Sequence, residues 1–140
     1  MPYLLDTVTL SAFRRDGRTP PEVLAWSASM DEPCYYISVI SLNEIRFGIR
    51  NVEAKDPEFG QKLNRWYESI IHQESYYRIL PVDRSIAETA ALFRADHVTP
   101  HFDSLIAATA KIHGLTLATR NTADFIALGI SVVNPWEFQG

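Results

Sequence analysis

The sequence lacks most features of a secreted or membrane-bound protein. It has one cysteine among 140 residues, which excludes an internal disulfide, and Cys34 is expected to be a small core residue in a reducing compartment. No apolar run approaches the roughly 18 residues that cross a bilayer, and the N-terminal segment shows no secretory signal pattern. We therefore expect a cytoplasmic protein with no membrane partner.

Positive charge is also scarce. The chain has 13 lysines and arginines against 17 acidic residues, a formal net charge of −4, which counts against a protein that coats nucleic acids nonspecifically. It does not exclude an enzyme with acidic residues concentrated at a metal site, because a bound cation reverses the local field. The four histidines lack the close spacing of a metal-binding pair, so structural or surface roles are expected for them.

What the chain does contain is the composition of one globular domain spanning residues 1–140, with 46% hydrophobic and 21% charged residues. The strands predicted from β-branched and aromatic runs are 3–5, 35–40, 79–82, 115–119 and 130–133. The helices predicted from periodicity and punctuation are 9–15, 21–29, 42–50, 57–74, 84–97 and 103–113. This alternation predicts the α/β class, with a central, mainly parallel sheet flanked by helices.

Four acidic residues stand close to the ends of predicted strands or the starts of predicted helices. Asp6 ends the first strand, and Glu44 falls in the first turn of the helix after the second strand. Asp103 begins a later helix, and Asp124 follows the 115–119 strand after a short turn. Because ligands collect beyond the carboxyl ends of parallel strands, the four carboxylates are placed to share one pocket.

Each acid also has a structural interpretation. Ser41 and Glu44 match the S-x-x-E capping box, and Asp103 fits a simple N-cap. Asn121 with Asp124 fits the cap of a short helix, and the first acid fits a turn at a strand end. Taken singly, capping is the favoured interpretation, so the prediction of a pocket depends on their joint placement.

Convergent carboxylates need something to offset their mutual repulsion, which raises their pKa values and destabilises the fold. A hard divalent cation does this, because Mg²⁺ and Mn²⁺ prefer oxygen ligands. Such a site orients a water, lowers its pKa and stabilises charge on a phosphate undergoing displacement. The pattern therefore favours nuclease chemistry.

Two further groups of residues leave alternatives open. Arg46 and Arg120 lie near the acids in sequence, and each fits either a contact to substrate phosphate or to a carboxylate of a partner protein, or a surface ion pair. Several aromatic residues suit either stacking on bases or packing between helices and at a protein interface. These aromatic residues are Trp26, Trp66, Tyr67, Tyr76 and Tyr77.

Five segments together resemble a known family. They are Leu4–Thr7, Ser38–Ile49, Asp103–Ala110, Thr119–Phe125 and Val133–Glu137. In this order they span nearly the whole chain, which resembles the PIN-domain toxins of the VapC and FitB kind, from type II toxin–antitoxin systems. The resemblance implies a three-layer PIN-like fold, Mg²⁺-dependent cleavage of RNA and a cognate antitoxin as partner. It also implies a homodimer that meets DNA only through the antitoxin.

The same resemblance assigns roles to individual residues. It makes four acids the catalytic, metal-binding set for Mg²⁺, with Mn²⁺ as a possible substitute: Asp6, Glu44, Asp103 and Asp124. It places polar residues that support this acidic site at Thr7, Thr119 and Asn121.

The chain departs from the family pattern beside the first acid. Val8 stands where the family usually carries asparagine, and Ala12 stands where an acid is frequent. A supporting hydrogen bond is then missing, so the alternative function is a catalytically weak PIN-like module that mainly engages an antitoxin. A third possibility, an aspartyl nucleophile at Asp6, is disfavoured because the D-x-D pattern needs an acid at position 8.

Overall fold

The computed structural model describes residues 2–14, 18–73 and 76–140. Within these residues the strands form one parallel sheet in the order β3-β2-β1-β4-β5. They are β1 (Tyr3–Leu5), β2 (Tyr35–Ser38), β3 (Tyr77–Leu80), β4 (Thr116–Ala118) and β5 (Val132–Val133). The predicted α/β class with a central parallel sheet is confirmed.

Helices connect the strands. They are α1 (Thr7–Ala12), α2 (Pro21–Ala28), α3 (Val39–Lys55), α4 (Pro57–Ile71), α5 (Arg84–His97), α6 (His101–His113) and α7 (Thr122–Ile126), and a short 3₁₀ helix, Pro135–Glu137, follows β5. Pro57 begins α4, and Gly114 ends α6 in the left-handed conformation at φ 64°, both as expected from sequence punctuation. The predicted ends of α1 at Arg15 and of α4 at Glu74 lie outside the described residues.

The sheet is covered on both faces, which makes three layers. Successive strand residues point to opposite faces, so Leu4 and Leu5, both fully buried, enter different cores. Leu4 packs with residues of α5, α6 and α7, whereas Leu5 packs with residues of α1, α2, α3 and α4. Strands buried on both faces read as continuous apolar runs, which is why the sequence shows no alternation there.

The second core is centred on an aromatic cluster. Tyr35 is fully buried and contacts the rings of Trp26, Tyr76 and Tyr77 at centroid distances of 6.0, 5.4 and 6.1 Å. Its hydroxyl is hydrogen-bonded to Ser27 Oγ at 3.0 Å, so the polar end of this buried ring is satisfied. These aromatic residues therefore pack within the fold.

Two further expectations from the sequence concern Cys34 and membrane-spanning segments. Cys34, expected to be a small core residue, is half-buried just before β2. None of the helices in the described part of the chain is both long and apolar enough to cross a membrane.

Candidate active site

The carboxyl ends of three adjacent strands bring the site residues to one edge of the sheet. Leu5, the last residue of β1, pairs with Ile37 of β2 and with Ala118 of β4. Asp6 therefore lies beside the start of α3 on one side and beside Thr119 on the other. This is the position at which open parallel sheets bind ligands.

Asp6 has a defined local role as the N-cap of α1. Its Oδ1 accepts a hydrogen bond from the backbone N–H of Thr9 at 2.8 Å, and its own N–H donates to Ala118 O at 3.2 Å. The side-chain hydroxyl of Thr9, which is fully buried, donates to the same Ala118 carbonyl at 2.9 Å. These bonds fix the Asp6 carboxylate relative to β4 and still leave it acceptor capacity.

Glu44 does not cap its helix, so the predicted capping box is wrong. Helix α3 starts at Val39, and its N-cap is Ser38, whose Oγ accepts from Ile40 N at 3.0 Å. The helix therefore begins three residues before the predicted Leu42, which places Glu44 in its second turn. Since the backbone does not use the Glu44 side chain as a cap, its carboxylate is available to the site.

A hydroxyl from α1 holds Glu44. Thr7 Oγ1 donates to Glu44 Oε1 at 2.6 Å and is also hydrogen-bonded to Ser41 Oγ at 3.0 Å. Ser41 is fully buried, and Thr7 and Glu44 are half-buried. This small network joins the first turn of α1 to α3.

Asp103 shows that the acids approach one another. It lies in the first turn of α6, whose N-cap is Pro100, so the predicted N-cap role of Asp103 is wrong. Burial raises the pKa of the Asp103 carboxyl above its usual value of 3.8, and the negative charges of Glu44, Asp6 and Asp124 raise it further. The structure thus brings Asp6, Glu44 and Asp124 within electrostatic range of Asp103.

The fourth acid is carried by α7. Asn121 precedes this helix without a side-chain capping bond, and its Nδ2 donates to Asp124 Oδ2 at 2.7 Å. The buried Thr119 accepts a hydrogen bond from Asn121 N at 3.0 Å through its Oγ1, which fixes the turn. Asp124 itself is exposed, so it forms the solvent-facing side of the group.

The acids are close enough to interact but are not arranged as a preformed metal site. Across residues 2–14, 18–73 and 76–140, no group of three or more His, Cys, Asp or Glu side chains has the spacing to hold an ion. Their chemistry nevertheless fits a hard cation, because every donor is a carboxylate oxygen and their repulsion is expressed in the raised pKa of Asp103.

The two arginines near the acids have internal partners. Arg46 donates from Nη1 to Asn64 Oδ1 at 2.7 Å and lies over the ring of Tyr67, 5.2 Å from its centroid. Arg120 lies over the ring of Trp136 at 5.5 Å. Neither arginine forms an ion pair with another described residue, so the surface ion-pair interpretation is not supported.

Sequence reasoning missed two residues of this region. Ser41 was interpreted only as a possible cap, and Thr9 was given no role. The hydroxyl contact of Thr9 has no local sequence signal, because its acceptor, Ala118 O, is 109 positions away in sequence. No local pattern indicates the contact of Ser41, because its partner is 34 positions away in sequence.

Comparison with known proteins agrees with the geometry. The sequence profile of the PIN domain matches residues 3–130, most of the chain. The chain belongs to the PIN-domain family. This PIN domain is 35% identical to Toxin FitB of Neisseria gonorrhoeae over 145 residues, covering 96% of this chain and 98% of that protein. It is also 35% identical to VapC ribonuclease Y4jK of Sinorhizobium fredii, covering 96% and 97%.

Solved structures resemble the PIN domain along nearly its whole length. One is FitAB bound to an IR36 DNA fragment, with 32% identity, a TM-score of 0.82 and coverage of 99% of this chain and 98% of that one. Another is FitAcB from Neisseria gonorrhoeae, with 34% identity, a TM-score of 0.77 and coverage of 97% and 99%. The three-layer PIN-like fold is thereby confirmed.

Proposed function

We propose that this PIN domain is the toxin of a type II toxin–antitoxin system and acts as a metal-dependent endoribonuclease. The observation that carries the proposal is the electrostatic convergence of Asp6, Glu44 and Asp124 on the half-buried Asp103. Clustered acids are unfavourable unless a cation neutralises them, and such clusters are typical of functional sites. The names of the relatives, a toxin and a ribonuclease, support the same activity.

The four carboxylates would hold Mg²⁺, or Mn²⁺ in its place. When bound, such an ion lowers the pKa of water and stabilises charge on the scissile phosphate. The chain's own groups orient the acids: Thr7 donates to Glu44, Asn121 donates to Asp124, and the backbone of Thr9 donates to Asp6. Thr119 supports Asn121 from the buried side of the turn.

The proposed partner is a cognate antitoxin. Two of the most similar solved structures are named for FitAB and FitAcB, and further neighbours of the same fold are toxin–antitoxin complexes, some bound to DNA. Because this chain has a net charge of −4, we expect its antitoxin to supply the DNA contacts.

The proposed organisation is one PIN domain over residues 1–140 that forms a homodimer in the cytoplasm. Phe138, near the C-terminus, packs against the same core as β1 and β2, which supports a single unit. Phe47 on α3 is 69% exposed and is a large apolar side chain that a self-association surface would bury. Light scattering coupled to gel filtration gives the mass of the purified protein and tests the dimer.

The activity is tested with protein purified free of antitoxin. We expect RNA cleavage that requires Mg²⁺ or Mn²⁺ and is lost in Asp6→Asn. Asparagine is also a good N-cap, so this variant removes the charge while keeping the helix start. If the folded wild-type protein neither binds a divalent ion nor cleaves any cellular RNA, the enzyme proposal fails.

The second candidate function, a weakly catalytic binding module, is favoured by Val8. This residue is 56% exposed on α1, two positions after Asp6, and its side chain forms no hydrogen bonds. We predict that Val8→Asn keeps the fold, because the position is exposed, and preserves or increases metal-dependent cleavage. Initial rates of RNA cleavage, compared at matched folded protein, measure the effect. A clear loss of cleavage in the folded variant would contradict this prediction.

A further inference from the structure

The hydroxyl of Thr7 lies between two residues of another helix. Its Oγ1 is 2.6 Å from Glu44 Oε1 and 3.0 Å from Ser41 Oγ. Ser41 and Glu44 are three residues apart on α3 and therefore lie on the same face of that helix. Thr7 is the first residue of α1 and follows Asp6 directly.

We propose that Thr7 and Ser41 are a pair of positioning residues that hold the Glu44 carboxylate toward the other three acids. The inference rests on the proposed metal site and deepens it, because it assigns Ser41 to that site. A glutamate has three side-chain torsions, and ordering such a side chain has an entropic cost in lost rotamer freedom. A fixed hydrogen-bond donor offsets part of this cost before any ion binds.

Ser41 acts through Thr7 rather than on the carboxylate. A threonine hydroxyl carries one proton, and the shorter bond, to a carboxylate oxygen, is the stronger of its two contacts. The 3.0 Å contact with Ser41 Oγ holds the Thr7 oxygen at a second point and so restricts the χ1 torsion of Thr7, because threonine otherwise populates two χ1 rotamers in a helix. Ser41 is fully buried, so water does not compete for this contact.

Helix capping does not explain the serine. Ser38 caps α3 through its bond with Ile40 N, which leaves the side chain of Ser41 to the interhelical contact. A buried hydroxyl in a helix has a cost unless it is hydrogen-bonded, and Thr7 supplies that bond. The Ser41 hydroxyl is therefore hydrogen-bonded to Thr7 and not to the backbone of its own helix.

The test measures binding of Mn²⁺ by calorimetry in wild type, Thr7→Val, Thr7→Ser and Ser41→Ala. Valine keeps the shape of threonine without its hydroxyl, whereas serine keeps the hydroxyl. We expect Thr7→Val to weaken Mn²⁺ binding about tenfold, as for other residues that orient metal ligands. Ser41→Ala should weaken it by a smaller factor, and Thr7→Ser should restore most of the affinity. Thr89→Val, on α5, is the matched control and should bind as wild type does.

A double variant separates positioning from general destabilisation. If Ser41 acts through Thr7, Thr7→Val combined with Ser41→Ala binds Mn²⁺ no more weakly than Thr7→Val alone. If the wild type binds Mn²⁺ and Thr7→Val binds it with equal affinity, this proposal is overturned and the proposed metal site stands. Additive losses in the double variant overturn the role of Ser41. Absence of Mn²⁺ binding in the wild type overturns the metal site and this inference together.

Discussion

Val98 ends α5 with a backbone conformation that branched residues disfavour. Its φ of 55° and ψ of 38° are left-handed, and its side chain is 86% exposed, so no burial compensates for the strain. Asparagine tolerates this conformation, and we predict that Val98→Asn stabilises the fold by about 0.5–1 kcal/mol. Urea denaturation measures the change. Val98→Ile, which stays branched, is the control and should give no gain; a gain of the same size in both variants would disprove the strain argument.

Ionisation of the Tyr35 hydroxyl makes the stability of the fold depend on pH in the alkaline range. Burial raises the pKa of its hydroxyl from 10.0 to about 12, against the lowering effect of the Ser27 hydrogen bond. The folded state therefore favours the neutral phenol. The contribution of this preference to the free energy of unfolding is complete below pH 10.0 and is lost as pH rises through about 12.

We predict that Tyr35→Phe is less stable than wild type by about 1 kcal/mol near neutral pH, because the bond to Ser27 is lost. The variant should also lose less stability than wild type between pH 8 and 11. Urea unfolding at the two pH values measures both effects, with Tyr36→Phe, half-buried on the opposite face of β2, as control. Parallel losses in wild type and Tyr35→Phe would contradict the assignment.

Individual site residues were predictable where the family motifs include them, and less so where contacts are long-range. The four acids were identified from their places near strand ends, and their approach to Asp103 agrees with that placement. The bonds that hold them were not predictable, since Thr7 and Glu44 are 37 positions apart. The alternative interpretation of Glu44 as part of a capping box follows from Ser41 three residues before it, while the actual cap, Ser38, lies inside a predicted strand.

At the scale of elements, two glycines in adjacent helices have opposite surroundings. A Cβ added to Gly60 on α4 would lie 2.6 Å from Glu53 Cγ and 3.0 Å from Glu53 Cα on α3, so the helices approach closely there. A Cβ added to Gly48 on α3 meets nothing within 4 Å. The first glycine is needed for packing, whereas the second only lowers helix propensity.

We predict that Gly60→Ala destabilises the fold by about 1–3 kcal/mol through overpacking. Gly48→Ala should stabilise it by about 0.5–1 kcal/mol, because alanine is the better helix former. Chemical denaturation of the two variants measures both changes, and each serves as the control for the other. A Gly60→Ala variant as stable as wild type would contradict the close approach of α3 and α4, and destabilisation by Gly48→Ala would contradict the open surroundings of that position.

Element boundaries were predicted best where terminal residues carry strong signals. Helix α5 spans residues 84–97 as predicted, because Asp83 caps its start through Ile86 N. The start of α3 was misplaced because Val39 and Ile40, both branched, extend the apolar run of β2 into the helix. Strand β3 lies at residues 77–80 rather than 79–82, since its register is set by pairing with β2, which no local pattern specifies.

At the scale of the whole molecule, the fold places repelling charges at one sheet edge. The two cores stabilise the scaffold that carries this arrangement, and in the proposed metal site a bound cation would offset the repulsion between the acids. Replacing Asp103 with asparagine removes the half-buried member of the group, whose raised pKa reflects both burial and its three acidic neighbours. The substitution should therefore stabilise the metal-free protein and weaken its response to metal.

Thermal unfolding of wild type and Asp103→Asn, without and with Mn²⁺, tests most directly whether the four acids form one metal site. Asp31→Asn, at an exposed acid, is the control and should behave as wild type in both conditions. Asp103→Asn is predicted to melt at a higher temperature than wild type without metal. Its melting temperature should rise less than that of wild type when Mn²⁺ is added. A variant that melts lower without metal, or that gains as much from Mn²⁺ as wild type does, would contradict the shared site.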